Sequence, residues 1–182
     1  MSRSAAPRLR ARAVERPLHI VLVDPEIPPN TGNVARLSAA TGCPLHLVGK
    51  LGFRIDEHAV RRAGLDYWDL VELHQHRSFL EAEANIAAAR APGVNAPRSF
   101  LFSGHATTSY LDAPFRSGDL LVFGRESVGL PAELLEERAA DVVGIPLLGN
   151  VRSLNLANAV AIGLYEALRR LGLLAKGQLY TD

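Results

Sequence analysis

Short apolar runs, each closed by a turn signal, alternate along the chain with segments of helical spacing. The first, "LHIVLV" at residues 18–23, is rich in β-branched residues and stops at Asp24-Pro25, which predicts a buried strand. Similar runs predict strands over 45–49, 69–74, 99–103, 119–124 and 140–146. Between them, apolar positions at helical period predict helices near 30–41, 56–63, 77–90, 131–138 and 153–171. Strand alternating with helix implies an α/β fold, a mostly parallel sheet flanked by helices on both faces. Ligands bind such sheets beyond the carboxyl ends of the strands, so the loops 24–33, 124–131 and 146–153 carry the interest.

The last helix has apolar residues on more than one face. Leu154, Ala157, Ala161, Leu164, Leu168 and Leu171 form one stripe, while Leu156, Val160 and Ile162 lie on another. A helix of this kind is buried on two sides, and a second copy of the chain is one candidate for the second cover. Past Gly172 the polar tail is expected to fray.

At 182 residues the chain suits one domain, placed here at 18–172, between a leader (1–17) and a tail (173–182). The single cysteine, Cys43, excludes an internal disulfide, and no Cys/His cluster has zinc-ligand spacing. A reducing compartment and no metal are expected. The net charge of +1 hides an asymmetry: five arginines (Arg3, Arg8, Arg10, Arg12, Arg16) against Glu15 give the leader +4, which leaves the body at −3. A basic, disordered arm of this kind suits an anionic partner such as RNA, or serves only as a solvating leader. No apolar run reaches the roughly 18 residues of a membrane helix. A soluble, cytoplasmic protein is expected, although an arginine-rich leader also has the character of an organellar transit peptide.

The loop "DPEIPPNTGNVARL" (24–37) leads into a helix that Asn30 is placed to cap. With Val34, Leu37 and Thr41 turned inward, Arg36 points outward or into a cleft. A capped turn with a surface arginine and an anion site made by guanidinium and helix N-terminus both fit. The second loop, "LVFGRESVGLP" (121–131), offers Gly124, Gly129 and the carboxylate of Glu126; two glycines serve a tight turn or close backbone approach. The third, "IPLLGNVRSLNLANA" (145–159), gathers Asn150, Arg152, Ser153, Asn155 and Asn158 around a helix start that Ser153 could cap. No G-x-G-x-x-G follows the first strand, and P-loop, nucleophile-elbow and zincin motifs are absent. His74 and His76, with no third ligand nearby in sequence, read as surface residues.

Taken together, in this order and spacing, the three loops resemble the motifs of the SPOUT superfamily in its SpoU branch, trefoil-knotted RNA ribose 2′-O-methyltransferases that use S-adenosylmethionine. "PEIPPNTGNVARL" followed by "RRAGLDYW" (61–68) is similar to the TrmL group, small enzymes acting on the wobble cytidine or uridine of tRNA. The resemblance implies a C-terminal trefoil knot, a homodimer and a tRNA anticodon stem-loop as partner. It implies donor contacts from Phe102, Ser103, Gly124, Gly129, Ile145, Leu147, Ser153 and Leu154. Catalytic roles fall to Arg36, Asn30, Glu126, Ser153 and Asn155, with one subunit's arginine reaching the other's donor. The chain departs from the TrmL pattern at Arg125, at Ser127-Val128 and at Gly149-Asn150-Val151, and "GNVRSLN" leans toward SpoU members acting on other tRNA or ribosomal nucleotides. A different target nucleotide, or a catalytically silent RNA-binding member, are the alternatives.

Overall fold

The structure, a computed structural model, describes residues 8–51, 68–91, 93 and 95–181. The expected helix at 56–63, and all but the last residue of "RRAGLDYW", lie outside the described residues. A six-stranded sheet of β2 (His19–Val23), β3 (Leu45–Val48), β4 (Leu73–His76), β5 (Ser99–Phe102), β6 (Leu120–Phe123) and β7 (Val142–Val143) runs in the order β4-β3-β2-β6-β5-β7. Every pairing in it is parallel.

Alternation along each strand assigns the two faces. Ile20, Leu22, Leu45, Leu47, Phe100, Phe102, Leu121 and Phe123 point into one core with residues of α1 (Pro28–Thr41) and α4 (Leu156–Arg170). Val21, Val23, Val48, Leu101, Leu120 and Val122 point the other way, toward α2 (Phe79–Ala88) and the short α3 (Ala132–Glu137). On α4 the buried set is Leu156, Ala157, Val160, Gly163, Leu164, Ala167 and Leu168, whereas Ile162 and Tyr165 stay exposed. Gly163 is required by close packing, since a Cβ there would stand 2.9 Å from Cζ of Phe102.

Several expected boundaries move. The strand expected at 69–74 forms at 73–76, because Trp68–Leu70 take a 3-10 turn and pairing with β3 begins where Leu45 N donates to Glu72 O. The strand expected at 140–146 shrinks to two residues: Ala139–Asp141 form another 3-10 turn, and Pro146 has no N–H to offer a ladder. Helix α1 starts at Pro28, not at Asn30. Prolines fit the first helical positions, where the missing N–H would have had no partner. Asn30 thus sits inside the helix. Asn155, not Ser153, caps α4, its side chain accepting from the amides of Ala157 and Asn158.

One further expectation is corrected for the described residues. The leader and tail were expected to be unstructured; instead β1 (Leu9–Ala11) pairs antiparallel with β8 (Leu179–Thr181) in a separate two-stranded ribbon. His74 is exposed, as expected of a surface residue, and His76 is half-buried; folding brings imidazoles from other strands beside them. Parallel register sets His46 beside His74, and the rings stack with centroids 4.8 Å apart. His46 Nε2 lies 3.0 Å from His19 Nδ1, and its Nδ1 lies 3.0 Å from His76 Nε2. Among the described residues, no group of three His, Cys, Asp or Glu is placed to hold a metal ion.

Candidate active site

All three singled-out loops lie at the carboxyl ends of β2, β6 and β7, as the all-parallel sheet requires. They border one cleft of about 730 Å³, together with the segment after β5. Asn30, Phe102, Ser103, Gly124, Glu126, Gly129, Ile145, Leu147, Ser153, Leu154 and Asn155 all line it. That volume lies within the roughly 300–1,000 Å³ of small-molecule sites.

The second loop is folded tightly by its glycines. Arg125 and Gly129 exchange backbone hydrogen bonds, Arg125 N to Gly129 O at 3.1 Å and Gly129 N to Arg125 O at 2.9 Å. Gly129 has φ +78, which a side chain would strain, and a Cβ on Gly124 would collide with the backbone of Gly129 and Leu130. The two glycines thus answer different needs, one of conformation and one of contact.

Glu126, carried at the turn of this loop, reaches the start of α1. Its Oε2 accepts from Glu26 N at 2.9 Å, and its Oε1 accepts from Ile27 N at 3.2 Å and Asn30 Nδ2 at 2.9 Å. Ile27, the N-cap residue, has no side chain able to cap, so a carboxylate about a hundred residues away does so. The anion at this helix terminus is therefore the protein's own, which favours the capped turn of the two alternatives. Burial pushes the Glu126 carboxyl up, but the hydrogen bonds from Asn30 and the backbone amides of Glu26, Glu126 and Ile27 outweigh it and hold the group below its usual range.

From Asn30 the chain of contacts continues. Asn155 Nδ2 donates to Asn30 Oδ1 at 2.9 Å, while Asn155 Oδ1 caps α4. One line of hydrogen bonds, Glu126 to Asn30 to Asn155, thus ties the three loops and the starts of two helices. Glu26 reciprocates, its carboxylate accepting from Ser127 N at 3.1 Å. Glu26 lies in the first loop but no local pattern marks it, because its partner stands on a loop a hundred residues away. Arg125, one of the departures from the TrmL pattern, pairs with Asp24 at 2.7 Å. Asp24 stands at φ +47 and also accepts from Lys50 N at 2.7 Å. Burial pushes its carboxyl up, yet Arg125 and the Lys50 amide more than offset this and lower it.

Arg36 stands apart. It is exposed and does not line the cleft; it lies about 9 Å along α1 and about 240° around it from Asn30. Arg152 and His105, absent from the expected set of site residues, do line it. Ser153 is exposed at its rim.

Residues 17–165 match the SpoU rRNA Methylase family. A tRNA (cytidine(34)-2′-O)-methyltransferase of Acidovorax sp. (strain JS42) is 50% identical over 84% of this chain and 91% of its own length. A solved structure concerned with the 2-OH methylation of C/U34 on tRNA is 47% identical, with TM-score 0.76 over 85% of this chain and 96% of that one. The SpoU methyltransferase AviRb from Streptomyces viridochromogenes, solved in complex with the cofactor AdoMet, is 27% identical, with TM-score 0.73 over 88% of this chain and 62% of that one. The chain belongs to the SpoU methylase family.

Proposed function

We propose that this SpoU-family chain transfers the methyl group of S-adenosylmethionine to the ribose 2′-hydroxyl of the wobble nucleotide of tRNA, cytidine or uridine at position 34. The observation that carries this reading is the hydrogen-bonded closure of three loops around one cleft, in a chain half identical to a relative of that name. S-adenosylmethionine, when bound, supplies an electrophilic methyl group. The backbone of Phe102, Ser103, Gly124, Gly129, Ile145, Leu147, Ser153 and Leu154 holds the donor, and the loop glycines keep that backbone accessible. The apolar residues around it exclude water.

Glu126, Asn30 and Asn155 act as positioning residues. They fix the loops against each other, so that alignment supplies much of the acceleration. Arg36 serves the RNA. A guanidinium is protonated throughout the physiological range, so it holds a backbone phosphate rather than taking the ribose proton. Because Arg36 lies off the cleft of its own subunit, it serves the site of a second copy. A homodimer also covers the apolar face that Ile162 and Tyr165 leave exposed on α4. The anticodon stem-loop as recognition element, a cytoplasmic location and a C-terminal segment threaded through a loop to form the knot belong to the same reading. Among the described residues, no helix is long and apolar enough to cross a membrane.

Purified protein with labelled donor is expected to methylate the wobble ribose in a subset of tRNAs. Arg36→Ala is expected to lower kcat/KM at least about a hundredfold, on the order of 2.7 kcal/mol, with donor affinity unchanged by calorimetry. Full activity in that variant would remove Arg36 from the site. Ribose-methylation mapping in a strain lacking the protein identifies the nucleotide, and loss at a position other than 34 would overturn the substrate assignment.

A further inference from the structure

Both strands of the terminal ribbon lie outside residues 17–165, the part matched to the family. Its register sets Leu9 opposite Thr181, Arg10 opposite Tyr180 and Ala11 opposite Leu179, and Arg12 N donating to Gln178 O at 3.3 Å extends the pairing. Side chains alternate between faces along a strand, and directly opposed residues share a face. Arg8, Arg10 and Arg12 therefore stand in a row on the face that also carries Tyr180. Leu9, Ala11, Leu179 and Thr181 take the other face. All three arginines are exposed, and Tyr180 is 52% exposed.

Three cations spaced about 6.8 Å apart along one strand repel each other and are stabilised by a polyanion. A proton-donating aromatic beside them adds a flat surface on which an unpaired base can stack. Cations in a row with an aromatic platform are the two elements by which proteins hold single-stranded nucleic acid. The leader carries +4 on a body of −3, so this ribbon is also the pole of the molecule that draws a polyanion.

The ribbon sits at the end of the sheet opposite the cleft. Gly118 N donates to Pro17 O just before β6 and β2 begin, and Val14 O stands 3.5 Å from where a Cβ on Gly42, past the end of α1, would lie. RNA held there is not the reacting nucleotide of the same subunit.

We propose that the ribbon of Leu9–Ala11 and Leu179–Thr181 is an RNA-docking surface, in which Arg8, Arg10 and Arg12 contact phosphates and Tyr180 stacks on an unpaired base. It deepens, and rests on, the reading of RNA as the substrate. It adds affinity for the substrate and leaves the methyl-transfer step unchanged.

The test compares the full wild-type chain with an Arg8→Ala, Arg10→Ala, Arg12→Ala triple variant, and with Tyr180→Ala and Tyr180→Phe. Binding to unfractionated tRNA is measured from 50 to 200 mM salt, with kcat and KM for methyl transfer in parallel. Losing three phosphate contacts is expected to lower the slope of log affinity against log salt by about 2 to 3, so that wild type's advantage shrinks roughly twenty- to fortyfold across that range. KM should rise while kcat holds. Tyr180→Ala should weaken binding about tenfold, and Tyr180→Phe should restore it, since the ring and not the hydroxyl stacks. An unchanged slope and KM in the triple variant, with wobble methylation intact, would overturn the ribbon and leave the function standing. Wild-type methylation at another nucleotide would overturn the wobble assignment alone, and the same slope would still decide the ribbon. Loss of binding to phosphatidylglycerol vesicles in the triple variant, with tRNA binding unchanged, would overturn the proposal in favour of a membrane surface.

Discussion

At the carboxyl ends of the strands, Glu126, Asn30 and Asn155 form a polar chain anchored on a charge, while on the α2 face of the same sheet His19, His46 and His76 form one that stays neutral. The difference lies in the available partners. Glu126 is met by backbone amides at the start of a helix, donors that favour an anion. The histidines are met chiefly by one another. A neutral imidazole donates through one nitrogen and accepts through the other, so the row can be hydrogen-bonded without carrying any charge. Burial pushes His19 down to about 4, with Arg16 and His74 adding to it against the pull of Glu72. It pushes His46 further, to about 2, with His19, His74, His76 and Arg16 adding to it. One network holds a charge beside the cleft; the other excludes charge where the sheet is packed.

The comparison breaks first under acid. Both histidines take up protons in the unfolded chain near pH 6.5 but resist them when folded, so the unfolded state binds more protons below that pH. Stability is expected to fall as pH drops from about 6.5 to 4, by roughly 1.4 kcal/mol per unit for each histidine, or on the order of 3 kcal/mol each across the window. Glu126 works at lower pH: its depressed carboxyl contributes stability above its unfolded value, lost as pH falls through the folded one. Denaturant midpoints measured against pH check this, and His46→Leu should roughly halve the slope between 6.5 and 4 while leaving it unchanged above 7.

Gly124→Ala should be somewhat less costly, but it acts at the other network. The added methyl meets the backbone of Gly129 and Leu130, which cannot move away as a flexible side chain could. A loss of about 3 kcal/mol is expected, together with loss of donor binding by calorimetry. The smallest effect is expected from Glu126→Ala, about 2 kcal/mol for an uncapped helix and a released loop. Donor affinity should fall with it, whereas the acid slope set by the histidines should not change. A Glu126→Ala chain with wild-type donor affinity would show that the line of hydrogen bonds does not shape the cleft.

Much of the fold was legible because it depends on local periodicity. The runs at 18–23, 45–49, 99–103 and 119–124 became strands to within a residue at either end, since each is apolar on both faces and bounded by turn residues. The edge strand β4 begins four residues and ends two residues later than expected. Its "LHQH" has little apolar character, and its position is set by pairing with β3. Of the site, the three loops and their glycines could be read from residue type. The caps could not: Asn30 and Ser153 are good capping residues by type, and the folded chain gives those tasks to Glu126 and Asn155.

Sequence by itself determined the alternation of strand and helix, and with it a parallel sheet whose ligand end carries all three loops, because apolar period and turn chemistry act over a few residues. Only the tertiary structure decided which side chain meets which. It brought Glu126 to Ile27, Arg125 to Asp24, His19 to His46, and Arg10 of the leader to Tyr180 of the tail. Such pairings join residues tens to more than a hundred and fifty positions apart, and their partners are fixed by strand order and register, which no local pattern encodes.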